Sequence, residues 1–140
     1  ISERPFVSMI GAAAGACRRR FPGKTAAILA TKGTLSAELY QKALTAQGVP
    51  FLVPDAAEQE ALMDVIYRGV KAGAPPSQYR EAFCSAAESL ARRGAKVFLL
   101  ACTELPLAVR ELRLNMPCVD PTEELAKAAI RFCGFAVRGE

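Results

Sequence analysis

The sequence predicts an α/β fold: a three-layer sandwich in which a mostly parallel sheet of about four strands lies between helices. Three observations point there. Short, wholly apolar runs alternate with longer segments whose apolar residues recur at helical spacing. Each apolar run is separated from the next by a helix-length stretch, the connection that parallel strands need. The chain has 140 residues, 51% apolar and 23% charged, the size and balance of one domain with its own core.

Residues 6–20 read as an Ala-rich helix, interrupted by Gly11 and Gly15 and stopped at Pro22-Gly23. Its end carries Arg18, Arg19 and Arg20, cations that suit the negative end of a helix dipole. No aromatic residues interleave with them, as a surface for stacking bases would require, so nucleic acid is not an expected partner. Residues 25–30 form a strand buried on both faces. A polar turn follows at 31–34, then a helix over 35–47 with Leu35, Leu39, Ala43 and Leu44 at helical spacing, ended by Gly48. The second strand is 49–53, where Pro50 fits only a strand start or a sheet edge. Asp55 caps a helix with Leu62, Val65, Ile66 and Val70 on one face. After a loop at 72–76, a helix runs from 77 to 93 and stops at Gly94. The third and most apolar strand is 96–101. A short helix begins near residue 103, a fourth strand spans 117–120, and a last helix covers 122–132. Right-handed crossovers place the helices on both faces.

Composition narrows the chemistry. There is no histidine, which removes Ser-His-Asp, Cys-His and His-ligated metal sites. Five cysteines stand at 17, 84, 102, 118 and 133, an odd count without a Cys-x-x-Cys pair. No disulfide framework or metal site is expected from them, and a reducing cytoplasm is the natural setting. The longest apolar run, ending at Cys102, is far too short to cross a bilayer, so no membrane association is expected. The first residues, Ile1-Ser-Glu-Arg-Pro5, hold neither an initiator Met nor a signal pattern. They suggest a piece of a longer chain.

In open parallel sheets the chemistry sits at the carboxyl ends of the strands. That rule selects Cys102 with Thr103 after the third strand, and Thr31, Gly33 and Thr34 after the first. Cys102 precedes a helix N-terminus, whose free N–H groups and positive dipole end favour thiolate over thiol. It would then be the most readily alkylated of the five. Thr103 can cap that helix, and Pro106 is tolerated in its first turn. The alternative is that Cys102 is a small buried hydrophobe. Thr31 and Thr34 offer hydroxyls that can hold an anion beside Gly33, or Thr34 is simply an N-cap. Lys71, at a helix end, suits the helix dipole whether or not it has another role.

Five motifs occur in order: Ala30-Thr-Lys-Gly-Thr34 with Tyr40-Gln41; Pro54-Asp55 with Gln59; Ile66-Tyr67 with Lys71-Ala-Gly73; Leu100-Ala-Cys-Thr-Glu-Leu-Pro-Leu107; and Asp120-Pro-Thr122. Together they make the sequence, over roughly residues 6–130, resemble the second half of aspartate/glutamate racemases, the aspartate branch in particular. The resemblance implies that residues 1–140 are the C-terminal domain of a two-domain, cofactor-independent amino-acid racemase. Cys102 would be one of its two catalytic cysteines. Thr31, Gly33 and Thr34 would line the substrate carboxylate, Thr103 would flank the thiol, and Lys71 would approach the acidic side chain of the substrate. No metal is implied. The first cysteine would belong to a missing N-terminal domain, leaving this chain inactive alone, with residues from about 117 to 140 packing on that domain. A homodimer is compatible with a domain that exposes a former interface. The alternatives are a hydantoin racemase, a maleate isomerase or decarboxylase-like relative, or a small-ligand-binding module without turnover.

Overall fold

The computed structural model describes residues 8–134. The ends of the expected first helix (residues 6 and 7) and of the C-terminal segment (135–140) lie outside the described residues. Four strands, β1 Ala26–Leu29, β2 Phe51–Leu52, β3 Val97–Leu100 and β4 Cys118–Val119, form one sheet. Its order is β2-β1-β3-β4, and every pairing is parallel. The helices are α1 Met9–Arg20, α2 Lys32–Ala37, α3 Leu39–Ala46, α4 Ala56–Asp64, α5 Pro76–Arg92, α6 Glu104–Glu111 and α7 Pro121–Phe132. Helix α4 runs on into a π-helical segment, Val65–Val70.

The two central strands are buried along their whole length, as unbroken apolar runs require. Their side chains alternate between two cores. Ala27, Leu29, Phe98 and Leu100 pack with Leu62, Ile66, Phe83 and Leu105 on one face. Ala26, Ile28, Val97 and Leu99 pack with Ala13, Cys17 and Leu44 on the other. This is the expected three-layer sandwich.

The helix expected over 35–47 is two helices. It starts earlier, because Thr31 rather than Thr34 is the N-cap: the Thr31 hydroxyl accepts from the Thr34 N–H at 3.3 Å. It then breaks at Glu38, whose φ of 58° is left-handed. The Gln41 side-chain amide donates to the Leu35 carbonyl at 3.1 Å, using an acceptor near the break. Pro50 lies just ahead of the short edge strand β2, and its carbonyl accepts from Ala26 N–H at 2.9 Å. Asp55 caps α4 in a reciprocal box with Glu58.

The π-helical turn closes with a bond spanning five residues and packs tightly on α5. Lys71 N–H donates to the Ile66 carbonyl at 2.9 Å, five residues back. Here the ring of Tyr79 on α5 sits against Gly69, so closely that a Cβ on Gly69 would lie 2.7 Å from Tyr79 Cδ2. Only glycine permits that approach.

Beyond residue 117, β4 pairs with β3 through Phe98–Cys118 and Leu99–Val119. Asp120 caps α7, accepting from Thr122 N–H at 3.0 Å. Helix α7 lies on α1, and between them Glu124 is buried, with Arg20 at 2.7 Å, Arg19 at 3.7 Å and Lys127 at 3.8 Å. Arg19 and Arg20 therefore neutralise a buried carboxylate besides meeting a helix dipole. At the far end of α7, Ile130 and Phe132 remain exposed. Among the described residues no helix is long and apolar enough to cross a membrane.

Candidate functional site

Strand β3 delivers Cys102 to the carboxyl edge of the sheet. Ala101 N–H still donates to the Leu29 carbonyl of β1 at 2.8 Å, so the chain leaves the ladder only at Cys102. It bends through Cys102 and Thr103 and enters α6 at Glu104. The half-buried Cys102 Sγ donates to Glu104 Oε1 at 3.2 Å, and the Thr103 hydroxyl donates to the same oxygen at 3.0 Å. Lys71, at the end of the π-helical turn, holds its Nζ 4.0 Å from Glu104 Oε2. Its ammonium also lies 5.0 Å from the centre of the Tyr67 ring.

Thr103 occupies the N-cap position of α6 but does not cap it with its side chain. Its backbone is helical and its hydroxyl is spent on Glu104. The expected bias toward thiolate is also overturned. Burial, foremost, pushes the Cys102 thiol up, and the hydrogen bond to Glu104 with that carboxylate's charge pushes it further. The Glu104 backbone N–H and the Lys71 ammonium pull the other way and do not prevail. Burial acts upward on Glu104 too. The bonds from Cys102 and Thr103, with Lys71, nevertheless hold its carboxyl below the usual range. The helix N-terminus does lower the thiol through the Glu104 N–H, but burial outweighs it and the Glu104 carboxylate adds to the upward push.

Cys102 and Thr103 line a recess of about 50 Å³ with Met9, Tyr40, Pro121 and Thr122. Thr31, Gly33 and Thr34 lie along the same sheet edge, because Leu29 pairs with Leu100 and both chains then leave the sheet. They are not among the residues walling the recess. The Thr31 hydroxyl donates to that of Thr34 at 3.2 Å, and a Cβ on Gly33 would meet open space. Lys71 is brought toward Cys102 through Glu104. Among the described residues no group of three or more Cys, Asp and Glu side chains is placed to hold a metal ion.

Three residues of the quoted motifs, with no role assigned from the sequence, also lie here. Glu104 lies in the quoted motif, but its bond to Cys102 depends on the bend before α6. Tyr40 reaches the recess from α3, with no local signal linking it to Cys102. Gln59 is buried below the first turn, its amide donating to the Ala30 carbonyl at 2.7 Å, while its Oε1 has no hydrogen-bond partner among the described residues.

This arrangement can be set beside known proteins. The chain matches the family described as Asp/Glu/Hydantoin racemase over residues 1–129. It is 33% identical over 107 residues to an uncharacterised protein encoded in the pnlA 3′ region of Pectobacterium carotovorum subsp. carotovorum, covering 75% of this chain and 70% of that one. It superposes on Picrophilus torridus aspartate racemase with a TM-score of 0.76 at 29% identity, covering 95% of this chain and 55% of that one. The same comparison with an aspartate racemase homologue from Pyrococcus horikoshii OT3 gives a TM-score of 0.71 at 28% identity, covering 91% of this chain and 56% of that one. The chain thus spans little more than half the length of these solved structures. On a match over nearly its whole length, the chain belongs to the Asp/Glu/hydantoin racemase family.

Proposed function

We propose that this chain is the C-terminal half of a cofactor-independent aspartate/glutamate-type racemase and supplies Cys102 as one of two acid–base cysteines. One observation carries the reading. Among the described residues a single thiol faces the recess at the carboxyl edge of the sheet, and the recess, about 50 Å³, is small. Small-molecule sites begin near ~300 Å³. An opposing wall that carries a second thiol completes such a site. That the chain spans 55% of the length of an aspartate racemase supports the same view.

The reaction needs two groups on opposite faces of Cα. A thiolate on one face takes the α-proton, and the electron pair left at Cα delocalises into the carboxylate. The thiol opposite then gives its proton to the other face, so one C–H bond breaks, another forms and the centre inverts. The α-hydrogen is weakly acidic, so the enzyme must stabilise the developing negative charge and exclude water. Thr31, Gly33 and Thr34 serve the α-carboxylate with hydroxyls and open backbone. Thr103 flanks the sulfur, and Lys71 meets the side-chain carboxylate of an acidic substrate. The exposed Ile130 and Phe132 of α7 supply apolar surface for the N-terminal domain. The five free cysteines suit a reducing cytoplasm.

The isolated chain is the first test. Incubated with L-aspartate or L-glutamate and resolved by chiral chromatography, it is expected to yield no D-enantiomer. Robust racemisation by the isolated chain sinks the half-site reading.

A further inference from the structure

The proposed reaction needs one of its two sulfurs protonated and the other ionised at the start, and the surroundings of Cys102 bear on which is which. Its S–H points at Glu104 Oε1, 3.2 Å away, so the bond exists only while the sulfur carries its proton. Glu104 is fixed from two further sides, by the Thr103 hydroxyl at 3.0 Å on the same oxygen and by Lys71 at 4.0 Å from the other. A carboxylate that accepts two hydrogen bonds and faces a cation keeps its negative charge. A second negative charge on the adjacent sulfur is then opposed.

We propose that Glu104 is a positioning residue that holds Cys102 as a protonated thiol, so that this half of the site enters catalysis as the proton donor. Lys71 is the counterweight: it keeps Glu104 in place, and its charge limits how strongly the thiol is held. Burial acts in the same sense as Glu104, while the α6 backbone N–H acts against it. Across the recess the titratable neighbour is Tyr40, whose phenol is itself held up by burial and by Asp120, and so stays neutral. The donor role rests on Cys102 being an acid–base residue of racemisation, as proposed above; the protonation state does not. It follows that the opposing cysteine takes the first proton. The resting enzyme then turns over first the enantiomer whose α-hydrogen faces that cysteine. After delivery Cys102 is left as thiolate and the opposing sulfur as thiol, the form that accepts the other enantiomer.

The measurement is the pH profile of Cys102 alkylation by iodoacetamide in the whole chain. It is read by mass spectrometry on the tryptic peptide of residues 97–110, which holds no other cysteine. Glu104→Gln is expected to move the midpoint to lower pH and to speed alkylation at neutral pH. Each unit of movement gives about tenfold more thiolate, and about threefold faster alkylation once the weaker nucleophilicity of a more acidic thiol is counted. Lys71→Met is expected to move the midpoint upward, and Glu104→Asp, which keeps the charge, to stay nearer the parent. A Glu104→Gln profile that coincides with the parent's or shifts upward, in a variant with an unchanged thermal melt, overturns the proposal. If that variant does not fold, Lys71→Met decides: no upward movement overturns it. Expected shifts in a chain that fails to racemise with its partner half would leave Glu104's role standing and remove the proposed reaction. Restored racemisation with unshifted profiles would do the reverse.

Discussion

The cysteines show how far one residue type is set by its surroundings. Cys17 is fully buried on the inner face of α1 among alanines, and burial raises its thiol to about 11 despite the nearby Arg20. Cys133 is exposed at the end of α7. Cys102 lies between them, half-buried and tied to a carboxylate. Its place was legible in the sequence, because an apolar run followed by Thr-Glu and a helix marks a strand's carboxyl end. Its protonation was not, because Lys71 arrives from another element and Glu104 turns back only through the bend at Cys102–Thr103. The arginine cluster had a similar fate: dipole chemistry was readable, whereas its buried partner Glu124 lies on a distant helix. Arg20→Ala is expected to destabilise the chain by about 1–3 kcal/mol, since it removes the closest partner of a buried carboxylate that keeps Arg19 and Lys127. Arg18→Ala, at an exposed position, is expected to change stability by less than about 0.5 kcal/mol. Urea unfolding of the two variants checks both, and equal stabilities would remove the buried ion pair from the account.

At the scale of elements, the alternation of apolar runs and amphipathic segments carried the sheet, its parallel sense and the layer order. It did so because burial on both faces leaves an unbroken apolar signature. The irregular joints were not legible. The break at Glu38 uses a left-handed backbone at a residue with no special tolerance for it, and the π-helical turn after α4 keeps the same apolar face as an α-helix. Gly69 was silent in the sequence because its need comes from Tyr79 on another helix. Gly69→Ala is expected to cost about 1–3 kcal/mol, as overpacking of a close contact does. The cost should appear as a lower thermal midpoint. It should also shift the Cys102 alkylation profile, because Lys71 ends the same turn and the Cβ must push α5 or the π-helical segment aside. A variant with the parent's melting curve would show that the approach of the two helices is looser than the geometry implies.

At the scale of the molecule, Cys17, Tyr40, Tyr79, Cys102 and Cys118 are all raised above their ordinary values, each chiefly by burial. The folded chain therefore keeps protons that the unfolded chain releases in alkali. Stability is fully present below the ordinary thiol value of 9.0 and falls as pH rises toward the Cys17 value of about 11. Cys17 alone accounts for about 2–3 kcal/mol of that fall, at about 1.4 kcal/mol per unit. Urea midpoints that decline as pH rises above 9.0, with a shallower decline in Cys17→Ala, are the expected result; a flat profile would contradict it.

Among the described residues one thiol lines the small recess at the sheet edge, and the proposed reaction requires two. The most direct measurement is racemisation of L-aspartate and L-glutamate by the chain co-expressed with the N-terminal half of an aspartate racemase that carries the first cysteine, followed by chiral chromatography. Turnover that appears only with both halves, and disappears again with Cys102→Ser, is the result predicted. Undiminished turnover in the Cys102→Ser pair would take Cys102 out of the mechanism and contradict the account.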